Sequence, residues 1–170
     1  RVIAARRRLE EIATRHHVSA MLWRRSGEAE MLLLALATGG AGWRVQVEVG
    51  SRAPLLQGSM GRVMANHVLW ERGELKRSFA QLRWDIPFDF AEYQKQIAIA
   101  KERGWSVDDR HYNRSMVGIC VPIIESDSSC QSVLTVAMLA NSHTAADQTA
   151  IIDDLRDAAA ALAMESFGPR

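Results

Sequence analysis

The sequence of 170 residues lacks a long hydrophobic run, a secretion signal and a strong excess of charge of either sign. Its longest apolar stretch, 31–37, is far shorter than the roughly 20 residues of a membrane-spanning helix. No basic segment followed by an apolar one opens the chain, so a signal peptide is not predicted. A net charge of +1 argues against a nucleic-acid groove within these residues. We therefore expect no membrane contact and no direct DNA binding from this stretch.

Cysteine is also scarce, since Cys120 and Cys130 are the two in the chain. If 116–124 and 131–139 form a hairpin, Cys120 lies in the middle of a strand and Cys130 at the turn. Their Cα atoms are then too far apart for a disulfide, and two reduced thiols are typical of a cytoplasmic protein. A nucleophilic Cys120 is the alternative, but an apolar strand raises the pKa of a thiol and leaves it unreactive.

Motifs for catalysis, metal binding and cofactor binding are absent from the sequence as well. There is no Gly-x-Ser-x-Gly elbow, phosphate-binding loop, Cys-x-x-Cys pair or His-Glu-x-x-His zinc motif. His16 and His17 have no third metal ligand nearby in sequence, and His111 lies in a polar loop close to Asp108. The sequence therefore predicts no catalytic residue, no metal site and no cofactor.

What the sequence does contain is a series of short elements that suits one domain. A chain of this length can bury a sizeable core as a single domain over 1–170. The order of elements lacks a repeated strand–helix–strand unit, which predicts an α+β class with a mostly antiparallel sheet of about six strands and helices on its faces. Apolar spacing predicts helices over 2–16, 72–82, 90–103 and 144–167 and strands over 18–24, 29–38, 43–49, 105–107, 117–124 and 131–139.

Local signals support two of these elements in particular. Apolar residues alternate with polar ones over Trp43–Val49, which is typical of a half-buried strand. Asp89 is a favourable N-cap and Gly104 a favourable C-terminal stop for the helix over 90–103.

The stretch 52–65 is the one around which the predicted domain is organised. Pro54 ends strand pairing, and Gly58-Ser59 opens a helix with Ser59 as the predicted N-cap. Gly58 and Gly61 allow a backbone or a ligand to approach closely. Free N–H groups at such a helix start suit a carboxylate or carbonyl oxygen, although a capped helix packed on a sheet is the plainer interpretation. The apolar positions of this helix are Met60, Val63, Met64, His67 and Val68.

Small residues on the last two strands predict a pocket beneath that helix. Gly118 and Cys120 share one face of their strand, and Thr135 and Ala137 share one face of the next. Because Gly118, Thr135 and Ala137 are small for a packed core, they leave room for a ligand. The alternative is that Met60, Met64 and a tryptophan fill this space.

These pieces together resemble the effector-binding domain of the IclR-type bacterial transcription regulators. The stretch 52–65 is similar to the family's Arg-x-Pro-Leu-His-Ala-Thr-Ala-Leu-Gly-Lys-Ala-Leu-Leu-Ala run, and 103–109 to its Arg-Gly-Tyr-x-x-Asp-x-Glu segment. Pro122-Ile123 stands where the family has Pro-Val after a Cys-containing strand, and 133–137 resembles its Ala-x-Ser-x-Ser strand. The resemblance extends over about 52–167.

The family implies a GAF-like fold, a homodimer or homotetramer, and an upstream winged helix-turn-helix domain that lies outside residues 1–170. DNA binding is then expected only through that missing domain. Such a domain would account for a chain that opens with Arg1 instead of Met. It would also account for the basic first helix, because residues 1–25 contain seven arginines and two glutamates.

The resemblance also implies six effector contacts. They are Ser59 and Met60 at the helix start, Asp108 in the following loop, Gly118 at the family's Cys position, and Thr135 and Ala137 at its two Ser positions. Gly118 in place of Cys, and Thr135 and Ala137 in place of two Ser, reduce the hydrogen-bond donors that the family offers its effector. This change favours a bulkier, more apolar or aromatic effector over a small keto acid. We expect the N–H groups of Ser59 and Met60 to hold that effector. Since Asp108 would repel an anion in a closed pocket, we expect it to accept a hydrogen bond from a hydroxyl or amine.

The implied function is therefore a non-enzymatic, cytoplasmic ligand sensor whose effector favours one arrangement of subunits. Two alternatives stay open at this point. One is a GAF-type sensor domain of a signalling protein or an enzyme. The other is a regulator whose pocket is filled by side chains and which acts through oligomer contacts alone.

Overall fold

A computed structural model describes residues 1–40, 42–43 and 45–165. The strands are β1 (Ser19–Ser26), β2 (Glu30–Thr38), β3 (Arg52–Pro54), β4 (Ser106–Asp109), β5 (Met116–Ile124) and β6 (Cys130–Leu139). The α-helices of the described residues are α1 (Val2–His16), α2 (Gly58–Met64), α3 (Glu74–Ala80), α4 (Phe90–Arg103) and α5 (Ala145–Glu165), and a 3₁₀ turn spans Ala65–His67.

The six strands form one sheet in the order β3-β2-β1-β6-β5-β4, and every neighbouring pair is antiparallel. The β1–β2 and β5–β6 hairpins join through β1 and β6, where Met21 lies opposite Thr135 and Ser19 opposite Ala137. The predicted mostly antiparallel sheet of about six strands is confirmed. This pairing places residues from both ends of the chain on the same sheet face.

Successive residues of β5 and β6 point to opposite faces of the sheet, and each face is covered by helices. On one face α1 and α5 form what we call the α1–α5 core. On the other, α2, α3 and α4 form the α2–α4 core. The α1–α5 core includes Leu9, Ile12, Ile119, Leu134, Val136, Ile151 and Leu155. The α2–α4 core includes Met21, Leu33, Met64, Phe79, Tyr93, Ile97, Cys120 and Val133.

Helix α4 has the ends that the sequence predicts. The Asp89 carboxylate accepts a hydrogen bond from the Glu92 N–H at 2.8 Å, which satisfies one of the free donors of the first turn. At the other end Gly104 adopts φ +84°, and its N–H donates to the Ala100 carbonyl. The helix presents Tyr93, Ile97 and Ala100 to the core and thereby supports α2 from behind.

The strand predicted over Trp43–Val49 is wrong, because the described residues of this stretch are in no strand. Gly50 has φ +95°, and the Ser51 N–H donates to the Glu48 carbonyl in a turn. The same turn lies against β2, since the Gly50 N–H donates to the Leu33 carbonyl oxygen and the Leu33 N–H donates to the Ser51 carbonyl oxygen. The third strand is instead β3, which pairs with β2 over 52–54. Residue 44, and the predicted end of the last helix at 167, lie outside the described residues.

The start of α2 also differs from the prediction, because Ser59 is not its N-cap. The chain enters the helix through Gly58 at φ +60°, and Gln57 is the N-cap without a side-chain hydrogen bond. Ser59 lies inside the first turn. At the far end the α-helix changes to the 3₁₀ turn and stops before Val68, so the predicted helical face over His67 and Val68 does not continue as α-helix.

Gly61 confirms the close approach predicted for this helix. A Cβ atom at this position would overlap the carbonyl group of Leu56. The chain can therefore double back tightly between β3 and α2, which brings the first turn of α2 down onto the sheet.

Candidate functional site

A cavity of about 490 Å³ lies between the sheet and the first turn of α2. Its floor is the face of β1, β5 and β6 that belongs to the α2–α4 core, and its walls come from α2, from β4 and the segment after it, and from 45–53. The lining includes Trp23, Val47, Gln57, Ser59, Met60, Asp108, Tyr112, Asn113, Gly118, Thr135 and Ala137.

All six residues that the family resemblance proposes line this one cavity. Strand register explains why they meet: Asp108 lies opposite Gly118, and Gly118 lies opposite Ala137, so three of them form a row across β4, β5 and β6. Asp108 lies on β4 and not in a loop as the sequence suggested. Their contact with an effector stays a prediction.

Gly118 sets how closely α2 approaches the sheet. A Cβ atom at this position would lie 3.1 Å from Ser59 Oγ, tighter than an ordinary van der Waals contact. On the same side the Ser106 hydroxyl donates a hydrogen bond to the Ser59 carbonyl oxygen. The missing Cβ of Gly118 lets the first turn of α2 lie close over β5, and the hydrogen bond from Ser106 ties it to β4, with the Ser59 side chain at the cavity wall.

Trp23 occupies part of the floor. Its indole N–H donates to Thr135 Oγ1 at 3.1 Å, and both side chains are buried. The hydroxyl of Thr135 therefore already accepts one hydrogen bond, and its own proton remains available to a ligand. Met64 lies fully inside the α2–α4 core. Tryptophan and methionine thus reduce the space without filling it.

Asp108 has partners that the sequence did not suggest. Its Oδ1 lies 2.8 Å from Nη1 of Arg62, and its Oδ2 accepts a hydrogen bond from the Tyr112 N–H at 3.0 Å. Both charged side chains are almost completely buried, at 1% exposure for Arg62 and 4% for Asp108. The repulsion that we expected Asp108 to exert on an anionic ligand is consequently offset by a cation within the fold.

The guanidinium of Arg62 is held from several sides. Its Nε donates to Gln96 Oε1 at 2.7 Å and its Nη1 donates to the Gly58 carbonyl at 2.8 Å. Its Cζ also lies over aromatic rings of Trp84, Phe88 and Tyr93, at 5.2–5.8 Å from their centroids. Arg62 stands at the Lys of the family's Gly-Lys pair, and that correspondence was the one sequence signal that could have pointed to it.

Burial shifts the pKa values of the two cysteines and of Tyr112. Burial raises the pKa of the Cys120 thiol well above its ordinary value, and it raises the pKa of Cys130 to about 11. Both cysteines are free, and a thiol in such surroundings is a poor nucleophile. Burial and the carboxylates of Asp85 and Asp108 also raise the pKa of Tyr112.

Two further types of site are not found in the part of the chain that the structure describes. No three His, Cys, Asp or Glu side chains come together in a way that could hold a metal ion. None of the described helices has the length and the apolar character needed to cross a membrane.

The antiparallel sheet, its two helical layers and the cavity beneath α2 define a C-terminal regulatory domain of the kind found in bacterial transcription regulators. Residues 2–164 match the family described as bacterial transcriptional regulator IclR C-terminal. The chain therefore belongs to this family, and the resemblance seen in the sequence is confirmed. No curated protein matches the sequence.

Solved structures show the same fold. An IclR-type regulator from Alicyclobacillus acidocaldarius superposes with a TM-score of 0.82 at 19% identity, covering 95% of this chain and 66% of its own. An IclR regulator from Silicibacter sp. gives 0.82 at 21% identity, covering 98% of this chain and 66% of its own. The C-terminal domain of the Escherichia coli regulator KdgR gives 0.75 at 14% identity, covering 96% of each chain.

These similarities confirm the GAF-like α+β fold that the family implies. The chain spans about two thirds of the length of the first two regulators, at 66% in each case, and nearly the whole of the isolated KdgR domain. At such identities the comparison with solved structures concerns the fold alone.

Proposed function

We propose that residues 1–170 form the ligand-sensing and oligomerisation domain of a transcription regulator, and that its effector binds in the cavity beneath α2. One observation carries the proposal: the six residues inferred from the family, on four separate elements, line a single cavity of about 490 Å³. A cavity of this size with a few polar groups is typical of a small-molecule site.

The lining supports an aromatic or largely apolar organic effector. Trp23, Met60 and Ala137 offer apolar surface, and Ser59 and Thr135 offer hydroxyl groups. Asp108 retains lone pairs beyond those used by Arg62 and Tyr112, so a hydroxyl or amine of the effector could donate to it. Because Arg62 balances its charge, the carboxylate does not by itself exclude an acidic effector.

The remaining parts of the proposal rest on family membership. We infer that the domain assembles as a homodimer or homotetramer in the cytoplasm and has no enzymatic activity of its own. DNA binding would come from a winged helix-turn-helix domain elsewhere in the full-length protein, and effector binding would favour one arrangement of the paired DNA-binding heads. The family favours this function over a GAF-type sensor of an enzyme.

A thermal-shift screen of aromatic compounds and organic acids tests the proposal. A compound that binds the native state raises the melting temperature by mass action. Binding should also change the fluorescence of Trp23 in the cavity floor, to be checked in a Trp23→Phe variant. A panel without any stabilising compound would favour a regulator that acts through oligomer contacts alone.

Filling the cavity provides the sharper test of where that compound binds. Ala137→Leu adds three carbons to the lining, so we expect it to weaken binding of the compound by about fivefold or more, since steric overlap of this kind costs about 1–3 kcal/mol. Ala160→Leu makes the same change on an exposed position of α5 and should leave affinity unaltered. Equal affinity of Ala137→Leu and Ala160→Leu for the compound would show that it binds outside the cavity.

A further inference from the structure

We propose that Arg62, which lies behind the cavity wall, determines which ligand charge the cavity accepts. Its buried charge cancels that of Asp108, so that neutral and acidic ligands are tolerated and cationic ones are not favoured. This inference rests on the proposed function, because it assumes that the cavity beneath α2 binds the effector.

The first argument is the position of the pair. Arg62 does not line the cavity, but its Nη1 reaches two residues that do, the carbonyl of Gly58 and the carboxylate of Asp108. The charge of Arg62 is screened little by solvent, because both side chains of the pair are almost completely buried. Arg62 therefore acts on a ligand through Asp108, as a positioning residue and a counter-charge.

The second argument is that neither hydrogen bonding nor folding stability fully explains why a charged pair is buried at this position. Arg62 Nη2 and Asp108 Oδ1 are buried and make no hydrogen bond of good geometry with the described residues, although Oδ1 lies 2.8 Å from Nη1. Replacing a buried ion pair by apolar residues is often neutral or stabilising. Apolar residues would leave the wall equally uncharged, but they could not offer a ligand the carboxylate of Asp108 with its charge balanced.

The third argument concerns the other charges around the cavity. Among the described lining residues, the charged ones are Asp108 and Arg52. Arg52 is exposed on β3 and donates to the hydroxyl of Ser26, so solvent screens it. With Arg62 in place the inner wall has no net charge. Without Arg62 it would present the carboxylate of Asp108 alone.

Three probes of similar shape and different charge can measure this effect: benzoate, benzyl alcohol and benzylamine. We would determine their dissociation constants at pH 7 by NMR titration of the wild-type domain and of Arg62→Met. The variant should shift the ratio of benzylamine to benzoate affinity at least about tenfold towards benzylamine, because an opposite charge at close range favours binding of the cation.

Two variants separate this role from a structural one. Arg62→Met with Asp108→Asn removes both charges and should return the affinity ratio to within about threefold of the wild type. Asp108→Asn alone leaves the cation and should shift the ratio towards benzoate, which keeps the inference testable if Arg62→Met does not fold. Arg52→Met removes an equal charge at the exposed rim and should change the ratio by less than about threefold.

The outcomes distinguish the two proposals. If no probe binds the wild-type domain, the proposed ligand cavity fails, and the role of Arg62 fails with it. If the probes bind but the ratio is the same in Arg62→Met, Asp108→Asn and the wild type, the cavity stands and the charge role of Arg62 is wrong. A shift in Arg52→Met as large as that in Arg62→Met would likewise overturn the inference.

Discussion

At the scale of single residues, the buried polar groups have different relations to the cavity. Arg62 and Asp108 are paired in its wall, Thr135 is held by Trp23 in its floor, and Cys120 and Cys130 lie in the α2–α4 core as free thiols. For both thiols burial disfavours the thiolate and raises the pKa. Their buried state should therefore be visible in the pH dependence of folding.

Cys130 provides a measurable case. Its pKa in the folded protein is about 11, above the ordinary value of 9.0, because burial disfavours the thiolate. The unfolded chain thus loses this proton first as the pH rises. The free energy of unfolding should be at its full value below pH 9 and should fall between pH 9 and 11, by at most about 1.4 kcal/mol per pH unit from this group.

Chemical denaturation of the wild type and of Cys130→Ala at several pH values would measure this contribution. In Cys130→Ala the free energy of unfolding should fall less between pH 9 and 11 than in the wild type. Val133→Ala, which shortens another buried side chain of β6 without removing a titrating group, should show the same fall as the wild type. An identical slope in wild type and Cys130→Ala would show that the thiol does not contribute.

At the scale of elements, the segments with strong local end signals were predicted best. The bounds of α4 agree with the sequence because Asp89 and Gly104 fix them through local backbone chemistry. The stretch Trp43–Val49 has the alternation of a strand, yet alternation says nothing about a partner. Hydrogen bonds to β2 are made by Gly50 and Ser51, after this stretch, and its described residues are in no strand, so the prediction fails there.

The cap of α4 can be tested directly. Asp89→Ala removes the acceptor of the Glu92 N–H, and we expect a loss of about 1 kcal/mol in the free energy of unfolding. Asp153→Ala, which removes a carboxylate from an exposed position within α5, should change stability by less than about 0.5 kcal/mol. Urea denaturation would compare the two, and equal effects would argue against a capping role.

At the scale of the whole molecule, the sheet separates the α1–α5 core from the α2–α4 core, which contains the proposed site. Leu155 is fully buried in the α1–α5 core, on the face opposite the cavity. Leu155→Ala should lower the free energy of unfolding by about 2–5 kcal/mol. It should leave the affinity for a cavity ligand within about twofold of the wild-type value, because substitutions at distant sites usually act independently.

The matching control for that substitution is Leu69→Ala, since Leu69 is 99% exposed. It should change stability by less than about 0.5 kcal/mol. Denaturation and ligand titration on the same samples would give both quantities. A large loss of affinity in Leu155→Ala, measured where the variant is fully folded, would show that the two faces are coupled.

The sequence allowed the fold class, both hairpins and the faces of β5 and β6 to be predicted, since these follow from local periodicity. It did not predict the pairing of β1 with β6, which joins residues more than a hundred positions apart. The six proposed site residues came from family resemblance. The ion pair of Arg62 and Asp108 was missed, because an arginine on a short helix normally indicates a solvent-exposed face.

The alternation of β5 and β6 has a consequence for how this domain can change over evolutionary time. Gly118, Thr135 and Ala137 face the cavity, while Ile119, Leu134 and Val136 belong to the opposite core. With the ligand bound as proposed, selection for a new ligand and selection for a stable fold would therefore act on alternate positions of the same two strands. A library confined to the first three positions would explore new ligands without altering the composition of the α1–α5 core.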